Sequence, residues 1–103
     1  MSIRDKYQTT LTVDTLYEVR AMGKGVEQIA PNIEINGGTA DIYVSQIDPT
    51  AGAAPTGMNI ITNGADLAGS ASFAFVQNYL YVKEKTPITS VVIAGVEVEV
   101  VTV

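Results

Sequence analysis

The sequence predicts a small all-β domain, a single β-sandwich or partly closed barrel of about seven or eight short antiparallel strands. Three observations predict it. Runs of β-branched and aromatic residues recur about every ten positions. Clusters of Gly, Asn, Asp and Pro punctuate them, as at Asn36-Gly37-Gly38 and Asn63-Gly64. Within the runs apolar residues alternate with polar ones, and no stretch of ordinary helix length carries helical spacing.

Residues 8–13 are Thr-rich and β-branched, and residues 16–20 continue after the turn-like Asp14-Thr15, so the two read as an opening hairpin; a helix capped by Asp14 is the competing reading. Residues 31–35 and 39–47 flank Asn36-Gly37-Gly38, which tolerates the positive φ that a tight hairpin needs, and this is the clearest hairpin signal in the chain. In its second arm Ala40, Ile42 and Val44 share one parity and Asp41, Tyr43 and Ser45 the other, which predicts one core face and one polar face. Residues 48–57 hold two prolines among small residues and read as an exposed loop. Residues 58–62 resume as a strand up to the Asn63-Gly64 turn, and 65–72 carry no assignment.

Residues 72–84 contain Phe73, Phe75, Tyr79, Leu80, Tyr81 and Val82 and read as one bent strand or two short ones interrupted near Gln77-Asn78, supplying much of the core. Residues 88–93 and 96–103 are Val-rich runs on either side of Ala94-Gly95 and read as a closing hairpin. Val96, Val98 and Val100 oppose Glu97 and Glu99, but Val101 and Val103 join the acidic parity. The strand end is therefore apolar on both faces and calls for cover by the same chain or by a neighbouring subunit.

A chain of 103 residues makes one compact domain, 1–103, with one core. Without cysteine there is neither a disulfide framework nor a thiolate metal site. No apolar run approaches the roughly 18 residues of a membrane span, and the first eight residues lack a signal-peptide apolar segment. A soluble product made in the cytoplasm, with no membrane partner, is expected. Six basic against eleven acidic residues give a net charge of -5, and Arg4/Lys6, Arg20/Lys24 and Lys83/Lys85 are scattered rather than gathered into a stripe, so no nucleic-acid partner is expected.

Histidine and cysteine are both absent, which removes the commonest general base, metal ligand and strong nucleophile together. Glu34, Asp41, Asp48 and Asp66 lie near turns and are the remaining candidates for a carboxylate pair, but a thin sandwich leaves little room for the cleft such an enzyme needs. Asn63-Gly64-Ala65-Asp66, or Asp41 with Asp48, offers two oxygen ligands each without a calcium-loop spacing, and turn stabilisation is the simpler role. Met22-Gly23-Lys24-Gly25 lacks the rest of a phosphate loop and reads as a surface turn. The expectation is a protein that is not an enzyme, with no catalytic residue, cofactor or metal. Tyr79 and Tyr81 share the parity opposite to Leu80 and Val82, and tyrosine is favoured where one end is buried and the other meets a partner, so they are the candidate interface residues.

The order Pro31-Asn32-Ile33-Glu34-Ile35-Asn36-Gly37-Gly38, Thr39-Ala40-Asp41-Ile42-Tyr43-Val44-Ser45, the Pro/Ala/Gly loop, Tyr79-Leu80-Tyr81-Val82 and the Val-rich end resembles small β-sandwich virion structural proteins of tailed bacteriophages, of the head decoration or cement type. The resemblance implies a virion location, many copies bound to capsid or other virion proteins, and no cofactor or reaction; it assigns no residue. A tail, neck or fibre-attachment component would look the same. Self-association is left open. From a different class, the alternative is a small carbohydrate- or ligand-binding β module, disfavoured by the absence of Trp and by only five Tyr.

Overall fold

The computed structural model describes residues 6–21, 32–49, 53–72, 79–96 and 98–103. These form nine strands: β1 (Lys6–Leu11), β2 (Leu16–Ala21), β3 (Asn32–Asn36), β4 (Ala40–Ser45), β5 (Asn59–Ile60), β6 (Ser70–Ser72), β7 (Tyr79–Glu84), β8 (Ser90–Val96) and β9 (Val98–Thr102). They pair antiparallel in two sheets, one of four strands in the order β1-β8-β3-β6 and one of five in the order β5-β4-β7-β2-β9. The all-β sandwich expected from the sequence is the fold. The sequence-based count of about seven or eight falls short by β6, a three-residue edge strand in the stretch 65–72 that carried no assignment, while the strand expected at 58–62 is the two-residue edge strand β5.

Strand pairing differs from the sequence-based reading in a systematic way. Of the eight connections between these strands, only that from β4 to β5 stays within one sheet. The three expected hairpins are instead crossings from one sheet to the other. β1 pairs with β8 while β2 pairs with β7 and β9; β3 pairs with β6 and β8 while β4 pairs with β5 and β7. Ala94-Gly95 is no turn at all, since both residues sit inside β8 opposite Gln8 and Tyr7, and the chain changes sheets only between Val96 and Val98. The physical reason is that Asn and Gly grant positive φ to either kind of connection. Asp14, with φ of 57°, turns the chain between β1 and β2, its N–H donating to the Val82 carbonyl at 2.7 Å. The helix alternative at Asp14 is not realised. Tyr17 steadies this crossing by accepting the Thr12 N–H on its hydroxyl at 2.8 Å.

The two sheets meet through one apolar cluster. Ile33, Ile42, Leu80, Val82, Val91 and Ile93 are almost wholly buried there, joined by Leu11, Tyr17, Val19, Ile35, Ala40, Val44, Ile61 and Val100. Each Val, Leu or Ile side chain among them contributes about 1.5–3 kcal/mol when fully withdrawn from water. Of residues 72–84, Ser72 ends β6 in one sheet and Tyr79–Glu84 form β7 in the other; the expected interruption near Gln77-Asn78 lies outside the described residues. Phe73 and Phe75, and the Met22-Gly23-Lys24-Gly25 segment, lie outside the described residues. β9 forms an edge of the five-stranded sheet and approaches β1 where the sheets meet, so its own chain supplies part of the cover its valines call for.

Candidate functional site

Because directly paired residues project from the same side of a sheet, the register defines each outward surface. On the five-stranded sheet Ile60 opposes Tyr43, Tyr43 opposes Tyr81 and Tyr81 opposes Leu16. Val103 continues the row, its N–H donating to the Leu16 carbonyl at 3.1 Å. An unbroken line of apolar and aromatic residues, Ile60, Tyr43, Tyr81, Leu16, Val103, therefore crosses β5, β4, β7 and β2 and ends just past β9. Its two ends are open to solvent, Ile60 being 42% and Val103 46% exposed, whereas Leu16 is buried outside the main core. The rings of Tyr43 and Tyr81 pack edge to face with centroids 6.5 Å apart. A second row places Ser45, Tyr79, Glu18 and Val101 alongside.

The four-stranded sheet presents a different surface. Its outward positions include Thr10, Asn32, Glu34, Asn36, Ser70, Ser72 and Ser90, with Val92 and Ala94 among them. Asn36 donates from Nδ2 to Ser90 Oγ at 3.1 Å and to Glu34 Oε1 at 3.4 Å, and Ser72 Oγ donates to Asn32 Oδ1 at 3.3 Å. Short polar groups that satisfy one another suit a face kept wet. The sandwich is thus two-faced.

Both candidate interface tyrosines lie on the aromatic side. Tyr79 and Tyr81 are half-buried while Leu80 and Val82 between and beside them are fully buried, the alternation read from the sequence. Tyr43, Leu16 and Ile60 were not singled out from the sequence, and Val103 only as part of the apolar strand end that calls for cover. Parity places Tyr43 and Val103 outward, but only the pairing of β4, β7 and β2 brings them into one row.

The candidate carboxylates separate. Glu34 belongs to the four-stranded sheet, and Asp48 follows the opposite end of β4 from Asp41. Asp41 and Asp66 do meet, with Lys85 between them at 3.6 Å from each. Asp41 also accepts the Asp66 N–H on Oδ1 at 2.8 Å. These groups pin the 61–67 segment along β4, where Ala40 and Leu67 exchange backbone hydrogen bonds at 3.1 and 2.8 Å. Asp41 is buried as a result, and so is Ser45, whose Oγ both donates to the Ile47 carbonyl and accepts the Ile47 N–H. The expected polar face of β4 is therefore corrected: Asp41 and Ser45, toward its two ends, are covered by the chain that follows, and only Tyr43 between them stays half-open. Past this end lies a shallow depression of about 330 Å³ lined by Ser45, Gln46, Ile47, Gly57 and Asn59.

No family model, curated protein or solved structure matches this chain. Its function is therefore argued from the two faces and the groups upon them.

Two of those groups set an alkaline limit. Asp41, and after it Asp66, holds the Lys85 ammonium above its ordinary value of 10.5. Burial, and then the Asp14 carboxylate that accepts the Tyr81 hydroxyl, raises Tyr81 above 10.0. In both cases the folded state binds the proton more tightly than the unfolded chain. The stability they contribute is intact below about pH 10 and is lost as pH rises through the folded-state values. Melting temperature is expected to fall from about pH 10 upward, less steeply in Tyr81→Phe; the same profile in wild type and variant would show that Tyr81 takes no part.

Proposed function

We propose that this protein is a non-enzymatic structural component of a virion, a decoration or cement protein that binds a capsid lattice through the outward face of its five-stranded sheet. The contrast between the two faces carries the reading. Half-buried tyrosines between the exposed Ile60 and Val103 on one side mark a surface suited to a protein contact, while the Ser/Thr/Asn side suits solvent. Tyrosines at the middle of such a surface have the character of interface anchors. The resemblance of the strand and loop order to phage head proteins supports the virion setting. Attachment to a tail, neck or fibre protein would employ the same face. A ligand-binding module is less well supported, because the depression at residues 45–59 is shallow and no aromatic ring lines it.

Changing Tyr79 and Tyr81 together to Ser tests the reading. The variant is expected to keep its far-ultraviolet circular dichroism spectrum, since both side chains point away from the core, and to lose at least about tenfold in affinity for capsid particles in co-sedimentation. Undiminished binding by a folded variant would reject this face as the contact.

A further inference from the structure

We infer that residues 62–66 form a strap that opens from the edge of β4 while the rest of the sandwich stays folded, and that Lys85 is its latch. β4 pairs with β7 along its whole length, but with β5 only at Tyr43 and Val44. The strap covers the edge left over. Ile42 N–H donates to the Gly64 carbonyl at 2.9 Å, and Asp66 N–H to Asp41 Oδ1 at 2.8 Å. Apolar anchors stand at the two ends, where Ile61 is buried and Leu67 packs against the core cluster. Between them Thr62, Asn63, Ala65 and Asp66 are exposed, and Asn63 and Asp66 turn through φ of 62° and 50°. A segment that buries little apolar surface and twice enters the left-handed region opens at a cost well below that of unfolding the whole domain. Closed, it keeps the middle of the β4 edge from pairing with foreign strands; opening frees the Ile42 N–H there.

Charge then sets how often the strap opens. Lys85 Nζ lies 3.6 Å from Asp41 Oδ2 and 3.6 Å from Asp66 Oδ1, and among the described residues it is the cation that bridges β4 to the strap. Without the ammonium two carboxylates face each other there, and their repulsion favours the open state. Hydrogen exchange of the full chain, followed residue by residue in the NMR spectrum, tests the strap and the latch separately. The Ile42 and Asp66 amides are expected to be protected at least about tenfold less than those of Leu80 and Val82, and their exchange to stay level in low urea while that of Leu80 and Val82 climbs, because a local opening exposes little surface. Ile42 and Asp66 amides that share the protection and the urea dependence of Leu80 overturn the strap. Lys85→Met, which keeps the length of the side chain, is expected to speed exchange at Ile42 and Asp66 about threefold to tenfold. Adding Asp66→Asn removes the repulsion at a residue type that tolerates positive φ, and is expected to restore most of the protection. Unchanged exchange in Lys85→Met, or no recovery in the double variant, overturns the latch.

Discussion

Replacing Gly38 by Ala is expected to lower stability by about 2–3 kcal/mol, roughly 10–20 °C in melting temperature for a domain of this size. The crossing from β3 to β4 lies directly against the crossing from β7 to β8. Thr89 N–H donates to the Asn36 carbonyl at 2.7 Å, Lys85 N–H to the Thr39 carbonyl at 2.9 Å, and Thr39 N–H to Thr86 Oγ1 at 2.8 Å. A β-carbon on Gly38 would fall on the Pro87 carbonyl oxygen and the Ile88 side chain, and the oxygen belongs to backbone that cannot rotate away. Neighbouring Gly37 has φ of 90° and its missing β-carbon would meet Thr89. In a free hairpin turn Asn is nearly as welcome as Gly at such positions. Gly57→Ala is the control: φ there is 85°, but nothing stands within 4 Å, so only the backbone cost of about 1 kcal/mol is expected. Urea denaturation of both variants reads the difference, and a Gly38→Ala protein within about 0.5 kcal/mol of wild type would show that the two crossings do not interlock.

Leu80→Ala is expected to cost more, about 2–5 kcal/mol. Leu80 is wholly buried at the middle of the five-stranded sheet, flanked by Val44 on β4 and Tyr17 on β2, and it faces the cluster that holds Ile33 and Ile93 of the other sheet. Truncation removes three carbons from the place where the sheets join, and the paired strands on either side prevent collapse into the void. The adjacent tyrosines point the other way, so Tyr79→Ser with Tyr81→Ser is expected to cost less than this single core change. The opposite order in thermal denaturation would place the tyrosines inside the structural core and withdraw them as interface candidates.

The legibility of this chain in its sequence follows the range of the forces involved. Side-chain alternation is a local property of each strand, so Ile42 and Val44 inward, or Leu80 and Val82 inward with Tyr79 and Tyr81 outward, were readable without knowing any neighbour. The all-β class and the turns at Asp14-Thr15, Asn36-Gly37-Gly38 and Asn63-Gly64 were readable for the same reason, whereas Ala94-Gly95, with no Asn, Asp or Pro beside it, reads as a turn and is strand. Asn36-Gly37-Gly38 must turn the chain whatever lies beyond it. Whether the arms of a turn pair with each other or part into opposite sheets is a different matter, decided by which arrangement buries both apolar faces at once. Arms that part bring their apolar sides toward one another across the core, and the alternation they display is identical to that of a hairpin. The burial of Asp41 likewise depends on Lys85 and on the Asp66 N–H, 44 and 25 residues away in sequence, meeting at one end of β4. The sequence by itself determined the class of fold, the strand faces and the Asn-Gly and Asp-Thr places where the chain turns. Tertiary structure alone decided the strand partners, and with them the row from Ile60 to Val103, because pairing is a contest among distant segments for a common core.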